Sequence, residues 1–194
     1  TIPVEIGWHP DSTQAALAFP PPEPLDAVAR DRLAGLDPLS DAAGLGDRLL
    51  VIRAPYNVSI RVSPAGVRPV TFYRVDEGPE TGGMTEGGFQ GLFQRLEPSA
   101  QRRADTPVLQ VSLNFLMITE EPCDLMLLPP FLADSYRDWP GPMVPGRFPL
   151  RSWPRALNCV LEWEERDRDW TIRRGDPLAY LAFAFDDPRK VPVP

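Results

Sequence analysis

Charged side chains gather in one short stretch of the C-terminal third, residues 162–169. Its members are Glu162, Glu164, Glu165, Arg166, Asp167, Arg168 and Asp169. Paired carboxylates can act as general acid and base in glycoside hydrolysis, or bind a hard cation such as Ca²⁺. The alternating signs from residue 164 to residue 169 are more typical of a solvated hairpin tip, because opposite charges side by side neutralise one another. We therefore interpret most of this stretch as a turn.

Glu162 differs from the other carboxylates because it falls inside a predicted strand. Side chains alternate between the two faces of a strand, so Glu162 shares a face with Asn158, while Trp163 lies on the other. An acidic and an amide side chain on one sheet face can bind a polar ligand such as a sugar. Glu162 is the carboxylate best placed for chemistry.

Aromatic side chains offer a second route to carbohydrate binding, since sugar rings stack on them. The set consists of Tyr73, Tyr136, Trp139, Trp153, Trp163 and Trp170. In β-rich proteins such rings also serve as core or loop anchors, and both interpretations stay open. The candidate ligand-binding residues are Asn158, Glu162, Trp163, Trp153 and Tyr73; none is assigned as catalytic or as a metal ligand.

The single histidine excludes several classes of enzyme. A two-histidine iron site and a Cys/His zinc site both need more imidazoles than His9 supplies. A Ser-His-Asp or Cys-His hydrolase would depend on His9, which stands between Trp8 and Pro10. Neither a phosphate-binding loop nor a dinucleotide fingerprint occurs, and we expect no cofactor. The two cysteines, Cys123 and Cys159, are expected to be free and buried.

Composition points to a β-rich chain. Of 194 residues, 25 are proline, which is tolerated in turns and edge strands but not inside helices. The net charge of −7 disfavours nucleic acid and anionic membranes as partners. Neither a membrane-spanning apolar run nor a signal-peptide pattern is found. We expect a cytoplasmic location, or a particle assembled in the cytoplasm such as a virion.

In the N-terminal half, alternation predicts a strand over Ile2–Trp8, with Pro3 suggesting a sheet edge. A modest apolar stripe predicts a helix over Leu25–Leu36. Further strands are predicted over Leu49–Arg53, Asn57–Val62 and Val70–Val75, and the last two form a hairpin.

In the following part, Phe89, Leu92, Phe93 and Leu96 have helical spacing within a glycine-rich excursion, 76–106. The pattern then predicts one long strand over Val108–Ile118, which forms a hairpin with 124–128. Residues 129–154 are rich in proline and are expected to form an ordered loop.

The stretch Ala156–Phe185 is predicted to form a β-hairpin or strand pair, rich in large side chains, that completes the core. Its last strand, Leu178–Phe185, is apolar on both faces and should therefore be central and covered on both sides. The fold class predicted is all-β with minor α: one domain over 1–194, jelly-roll or β-sandwich-like. It carries an N-terminal proline-rich segment (10–47), the excursion 76–106 and an extended tail (186–194).

Turn and core motifs in the C-terminal half resemble an uncharacterised family of bacterial and phage proteins, known as a domain of unknown function. They are Thr119-Glu120-Glu121-Pro122-Cys123, Leu125–Leu128, Pro129-Pro130, Leu161-Glu162-Trp163 and Ile172-Arg173-Arg174-Gly175-Asp176-Pro177. The resemblance lies mainly within 108–185. Cys123 replaces an expected glycine, and Phe131 a common asparagine. The resemblance implies a β-rich fold and carries no activity.

Two functions follow as expectations. The first is a non-catalytic structural or binding module within a larger assembly, virion-associated or otherwise oligomeric, with protein partners of the same or another kind. It rests on the missing catalytic motifs, on the proline-rich Pro20–Pro24 and Val191–Pro194, and on the glycine-rich excursion. The alternative is a carbohydrate- or small-molecule-binding protein, or a hydrolase, with a carboxylate-lined cleft around Glu162.

Overall fold

A computed structural model describes residues 1–10, 19–36, 44–75, 84–96, 103, 105–152 and 156–194. Within these ranges the chain is mostly β, with several antiparallel sheets and two α-helices. The strands are β1 (Ile2–Glu5), β2 (Gly7–Pro10), β3 (Glu23–Pro24), β4 (Leu49–Arg53), β5 (Val58–Val62), β6 (Phe72–Arg74), β7 (Phe93–Arg95), β8 (Val108–Ser112), β9 (Phe115–Ile118), β10 (Cys123–Leu128), β11 (Met143–Val144), β12 (Gly146–Pro149), β13 (Asn158–Glu162), β14 (Trp170–Ile172), β15 (Pro177–Phe185) and β16 (Lys190–Val193); the helices are α1 (Ala27–Leu36) and α2 (Glu86–Leu92).

A five-stranded sheet with the order β12-β10-β15-β4-β3 forms the centre of the fold. Strand β15 is its middle strand, and Leu181 stands opposite Leu127 on one side and Leu50 on the other. These inward side chains belong to the larger buried cluster, whereas Tyr180 and Ala182 belong to a second cluster on the outer face. The prediction of a central strand covered on both sides is confirmed, because both of its faces are apolar.

Helix α1 covers the outer face of this sheet. Leu25 and Leu33 are buried in the second cluster, and the Asp26 carboxylate accepts a hydrogen bond from the Ala29 N–H (2.8 Å), as an N-cap does. The predicted helix is confirmed from Ala27 onward. Only part of its apolar stripe is buried, because Val28 and Leu36 are exposed.

The remaining strands form four smaller sheets. A four-stranded sheet has the order β11-β13-β8-β7, and a three-stranded sheet has the order β14-β5-β6. Their inward side chains share the larger cluster with the inner face of the five-stranded sheet. The predicted hairpin between β5 and β6 is confirmed, with Val62 opposite Phe72. The sheets do not show a jelly-roll strand order.

The long strand predicted over Val108–Ile118 is divided in two. Asn114 adopts a left-handed conformation (φ 55°), which interrupts the strand between β8 and β9. The Ser112 hydroxyl donates to Asn114 Oδ1 across this break (2.7 Å). The predicted hairpin with 124–128 is wrong, because β9 pairs with β2 and β10 pairs with β12 and β15.

Ala156–Phe185 is not a hairpin or a strand pair. Its three strands enter three different sheets: β13 pairs with β8 and β11, β14 with β5, and β15 with β10 and β4. The alternation of apolar residues predicted the strands correctly, but the partners are distant in sequence. Apolar alternation marks a strand and does not encode its partner.

Two segments expected to be irregular contribute edge strands. Residues 129–154 hold β11 and β12, which extend the four-stranded and five-stranded sheets. Within 76–106, helix α2 is capped by Thr85, whose side chain accepts from the Gly88 N–H, and ends before Phe93. The chain then forms β7, so the helix has about the predicted length but ends at Leu92, and Phe93 of the apolar pattern lies in a strand. The parts of this excursion at 76–83, 97–102 and 104 lie outside the described residues.

The two ends of the chain pair with each other. β1 and β16 form a parallel two-stranded sheet, with Ile2 opposite Lys190 and Glu5 opposite Val193. The predicted strand Ile2–Trp8 is divided at Ile6, and its second half, β2, pairs with β9. Of the predicted extended tail, Lys190–Val193 is extended and lies along its own chain, whereas 186–189 form a turn. Neither described helix is long and apolar enough to cross a membrane.

Candidate functional site

Three of the predicted site residues come from β13 and its end. Asn158 and Glu162 point to the outer face of the four-stranded sheet, whereas Trp163 packs into the core with 0% of its surface exposed. The indole N–H of Trp163 donates to the Glu165 carbonyl at 3.0 Å. Trp163 therefore stabilises the fold and offers no free ring to a sugar.

The outer face of this sheet carries several polar side chains beside Val160 and Val144. Asn158 stands opposite Ser112, and Gln110 stands opposite both Val160 and Gln94, so amide and hydroxyl groups form a row across the strands. Asn158, Ser112 and Gln110 are half-buried, and Gln94 is exposed. These side chains can form hydrogen bonds to a polar ligand, and a ligand-binding role for Asn158 stays a prediction.

Glu162 lies at the covered end of that row. The Glu162 N–H donates to the Pro142 carbonyl (3.0 Å), and the Glu164 N–H donates to the Pro140 carbonyl (2.9 Å). Residue 141 comes so close that a Cβ there would lie 1.9 Å from the Glu162 carbonyl oxygen, which requires glycine at this position. The loop leaves only 3% of Glu162 exposed, so its carboxylate does not line an open cleft.

The other two predicted site residues do not join this face. Tyr73 lies on β6 of the three-stranded sheet, is 39% exposed, and stands opposite Arg61. The Arg61 guanidinium donates to both oxygens of Asp169 (2.6 and 2.5 Å), which holds the pKa of Asp169 below its ordinary value. Trp153 lies outside the described residues. The structure therefore places Asn158 and Glu162 on one face at the two ends of β13, and Tyr73 belongs to another sheet.

The other tryptophans of the predicted platform belong to the core. Trp139 and Trp170 are buried, and their ring centroids are 4.6 Å apart. Tyr136 packs edge-on against Trp139 at 5.0 Å. Their large apolar surface is used for packing, which is the second of the two interpretations left open by the sequence.

The charged stretch after β13 is a solvated loop, although it does not join paired strands. Glu164 binds Arg103 (2.8 Å) and Glu165 binds Arg168 (3.0 Å), all with exposed side chains. Pairs of this kind contribute little stability. No group of three His, Cys, Asp or Glu side chains suited to a metal ion occurs in the described part of the chain.

The two cysteine thiols are not in a reactive state. Cys123 and Cys159 are both free and buried, as predicted. Burial raises the pKa of Cys123 to about 11 and that of Cys159 to about 12, so both thiols are protonated at neutral pH. His9 is exposed on β2, and its Nδ1 lies 2.6 Å from the Pro10 carbonyl oxygen.

A cleft of about 170 Å³ lies between α1 and the five-stranded sheet. Its charged groups already have partners: Arg32 binds Asp134 at 2.7 Å, and Arg53 binds Asp26 at 3.1 Å. A charged ligand would have to displace these pairs. We interpret them as ion pairs that hold α1 against β4 and against the segment that follows β10.

A larger depression lies where the ends of the chain meet, and we call it the terminal groove. Its volume is about 440 Å³, and it is lined by Ile2, Pro3, Val4, Glu5, Gly7, Ile118, Thr119, Glu120, Glu121 and Lys190. One wall is β1, and the other is the turn after β9. No sequence pattern predicts this site, and Pro3, as a marker of a sheet edge, is the one signal that points to it.

One edge of β1 is open to the terminal groove. The N–H groups of Ile2 and Ile6 donate to the carbonyls of Arg189 and Val193 on the β16 side (2.7 and 2.8 Å). Backbone groups alternate along a strand, so Pro3 and Glu5 face the other way. Among the described strands, β16 is the only partner of β1. This open edge makes the terminal groove the leading candidate site.

Comparisons with known proteins leave the chain without an identified relative: no family model, curated protein or solved structure matches it. The resemblance over 108–185 to an uncharacterised bacterial and phage family stays a prediction.

Proposed function

We propose that this chain is a non-catalytic structural or binding module that works within a larger assembly, as a virion-associated or other oligomeric component. It joins that assembly through protein partners at the terminal groove. We also propose that the protein is located in the cytoplasm or in a particle assembled there. The open edge of β1 is the observation that carries it.

An open strand edge presents unpaired N–H and C=O groups, which natural proteins cover, shorten or use for binding. Extended segments of partners add to such edges as an extra strand. Among the residues that line the groove, Ile2 and Ile118 are exposed by 39% and 58%. Backbone groups and apolar side chains together favour a protein partner.

The proposal includes the finer architecture. We infer a single domain over 1–194 built as a two-layer β-sandwich, because one buried cluster unites the five-stranded sheet with the four- and three-stranded sheets. The described strand orders do not support the jelly-roll form of the sequence prediction, so the proposal is limited to the sandwich. The protonated thiols and the occupied salt bridges of the charged loop support a non-catalytic role.

The test is the size of the native assembly. We expect the chain, isolated from its source cells under gentle conditions, to sediment well above the mass of the free chain. Ile118→Lys places a charge in the terminal groove and should release the free chain. Val67→Lys is the matched control, because Val67 is 47% exposed and lies outside the groove. Sedimentation as the free chain at every concentration would overturn the proposal.

A second candidate is the polar face of the four-stranded sheet, as a carbohydrate- or small-molecule-binding site or a hydrolase. It is favoured by a buried carboxylate, Glu162, at the end of the amide and hydroxyl row. Glu162→Gln should then abolish binding on a glycan array with little change in melting temperature, whereas exposed Glu164→Gln should do neither. A large loss of melting temperature in Glu162→Gln would assign Glu162 to structure.

A further inference from the structure

We propose that the terminal groove binds a basic, extended segment of a different protein, which pairs with β1 as an added strand. This inference rests on the proposed function and names the chemistry of the partner. The free edge supplies the hydrogen bonds, and the charges of the groove select the occupant.

The hydrogen bonds available on the open edge are defined by the alternation along β1. Glu5 can donate its N–H and accept at its carbonyl, whereas Pro3 can only accept. A partner strand must therefore offer N–H groups to both carbonyls and one carbonyl to Glu5. An extended peptide meets this requirement, and a helix does not, because its backbone groups are already paired.

Strand β9 shows how an added strand would lie. It covers β2 in antiparallel register, with Gly7 opposite Ile118, and β1 continues beyond this point. After Ile118 the chain turns away, and the Glu121 N–H donates to the Thr119 side chain (3.2 Å) within the turn. The turn leaves the space beside Ile2–Glu5 open, and that space is the terminal groove.

The charges of the groove favour a basic segment. Its lining holds the carboxylates of Glu5, Glu120 and Glu121 against the single ammonium of Lys190. Lys190 binds Glu121 at 2.6 Å, while neither Glu5 nor Glu120 forms a salt bridge with any residue of the described ranges. An excess of carboxylates beside an open edge attracts Lys or Arg and repels acidic segments.

The same charges argue against a second copy of this chain as the occupant. The chain has a net charge of −7, and pairing two grooves would bring Glu5 and Glu120 of each copy together. The exposed Ile2 and Ile118 add an apolar requirement. Because side chains alternate along a strand, a suitable segment alternates basic and apolar residues.

The probe is an acetylated, amidated peptide of alternating arginine and valine, with binding measured by calorimetry. We expect Glu5→Gln combined with Glu120→Gln to weaken binding about tenfold, because two charge pairs are lost. The matched control combines Asp31→Asn and Asp167→Asn, which removes the same charge at exposed positions outside the groove. It should change the affinity by less than about twofold.

Backbone pairing is tested with N-methylated peptides. Methylation of alternate residues removes the N–H groups of one edge, so one of the two possible methylated peptides should lose binding and the other should keep it. A serine–valine peptide should bind more weakly, and a glutamate–valine peptide should not bind. Equal binding of the arginine and serine peptides, or of both methylated peptides, would overturn the inference.

The outcomes separate this inference from the proposed function. If the native assembly forms but the groove variants bind the arginine peptide normally, the basic segment is rejected and the assembly role stands. If the peptide binds as expected but the chain sediments alone, the groove chemistry stands and the assembly role fails.

Discussion

Strands β15 and β1 have the same secondary structure and opposite surroundings. β15 has a partner on both edges and buried clusters on both faces. β1 has one described partner, and three of its four residues are exposed. A strand that is paired on both edges and buried on both faces contributes mainly to stability. An unpaired edge leaves backbone N–H and C=O groups available for binding. We infer that β15 contributes mainly to stability, whereas the binding function proposed above uses the paired chain ends.

The difference between β15 and β1 follows from which of their side chains are buried. Between Leu178 and Phe183 every side chain of β15 is buried, so either face would cost free energy if exposed to water. In β1 the buried Val4 is flanked by Pro3 and Glu5, which are exposed. Proline also removes one donor from the edge. Such an edge resists uncontrolled pairing and accepts a partner that satisfies its carbonyls.

The largest effect is expected for Leu181→Ala in the middle of β15. Leu181 has 0% of its surface exposed, and the cavity left by its side chain should lower the free energy of unfolding by about 2–5 kcal/mol. Val193→Ala on β16 is the control, at 43% exposure, with an expected change within about 0.5 kcal/mol. Urea denaturation measures both. Equal losses would break the comparison between the two regions.

A smaller effect is expected for Lys190→Gln at the chain ends. The Lys190–Glu121 pair is partly exposed (24% and 45%), so its loss should lower the free energy of unfolding by less than about 1 kcal/mol, and less at high salt. The groove becomes more negative, and the arginine–valine peptide should bind about twofold more tightly. Arg103→Gln, which breaks an exposed pair with Glu164, should leave peptide binding unchanged. Weaker peptide binding in Lys190→Gln would contradict the charge argument.

Local patterns predicted individual elements well. The alternation in β5 and β6, the continuous apolar run in β15 and the burial of both thiols all followed from short stretches of sequence. The partners did not follow, as the three strands of Ala156–Phe185 show. The break at Asn114 was also missed, because a left-handed residue leaves no mark in an apolar pattern.

The candidate sites also differ in how far the sequence alone predicts them. Asn158 and Glu162 share a face because side chains alternate along one strand, and the sequence predicts this directly. The cover over Glu162 comes from Pro140–Pro142, which no periodicity could place there. The terminal groove combines 2–7, 118–121 and 190, segments that are at least 69 positions apart in the sequence and meet only in the folded chain.

Amino-acid types and their local order thus establish a proline-rich, acidic, β-rich chain with a single histidine, with no phosphate-binding or dinucleotide motif and with an apolar central strand. These properties depend on composition and on period-two alternation, which act over a few residues. Strand pairing, the exposure of Glu162 and the open edge of β1 depend on which distant segments bury their apolar faces together. That choice minimises the free energy of the whole chain, so it becomes visible only in the tertiary structure.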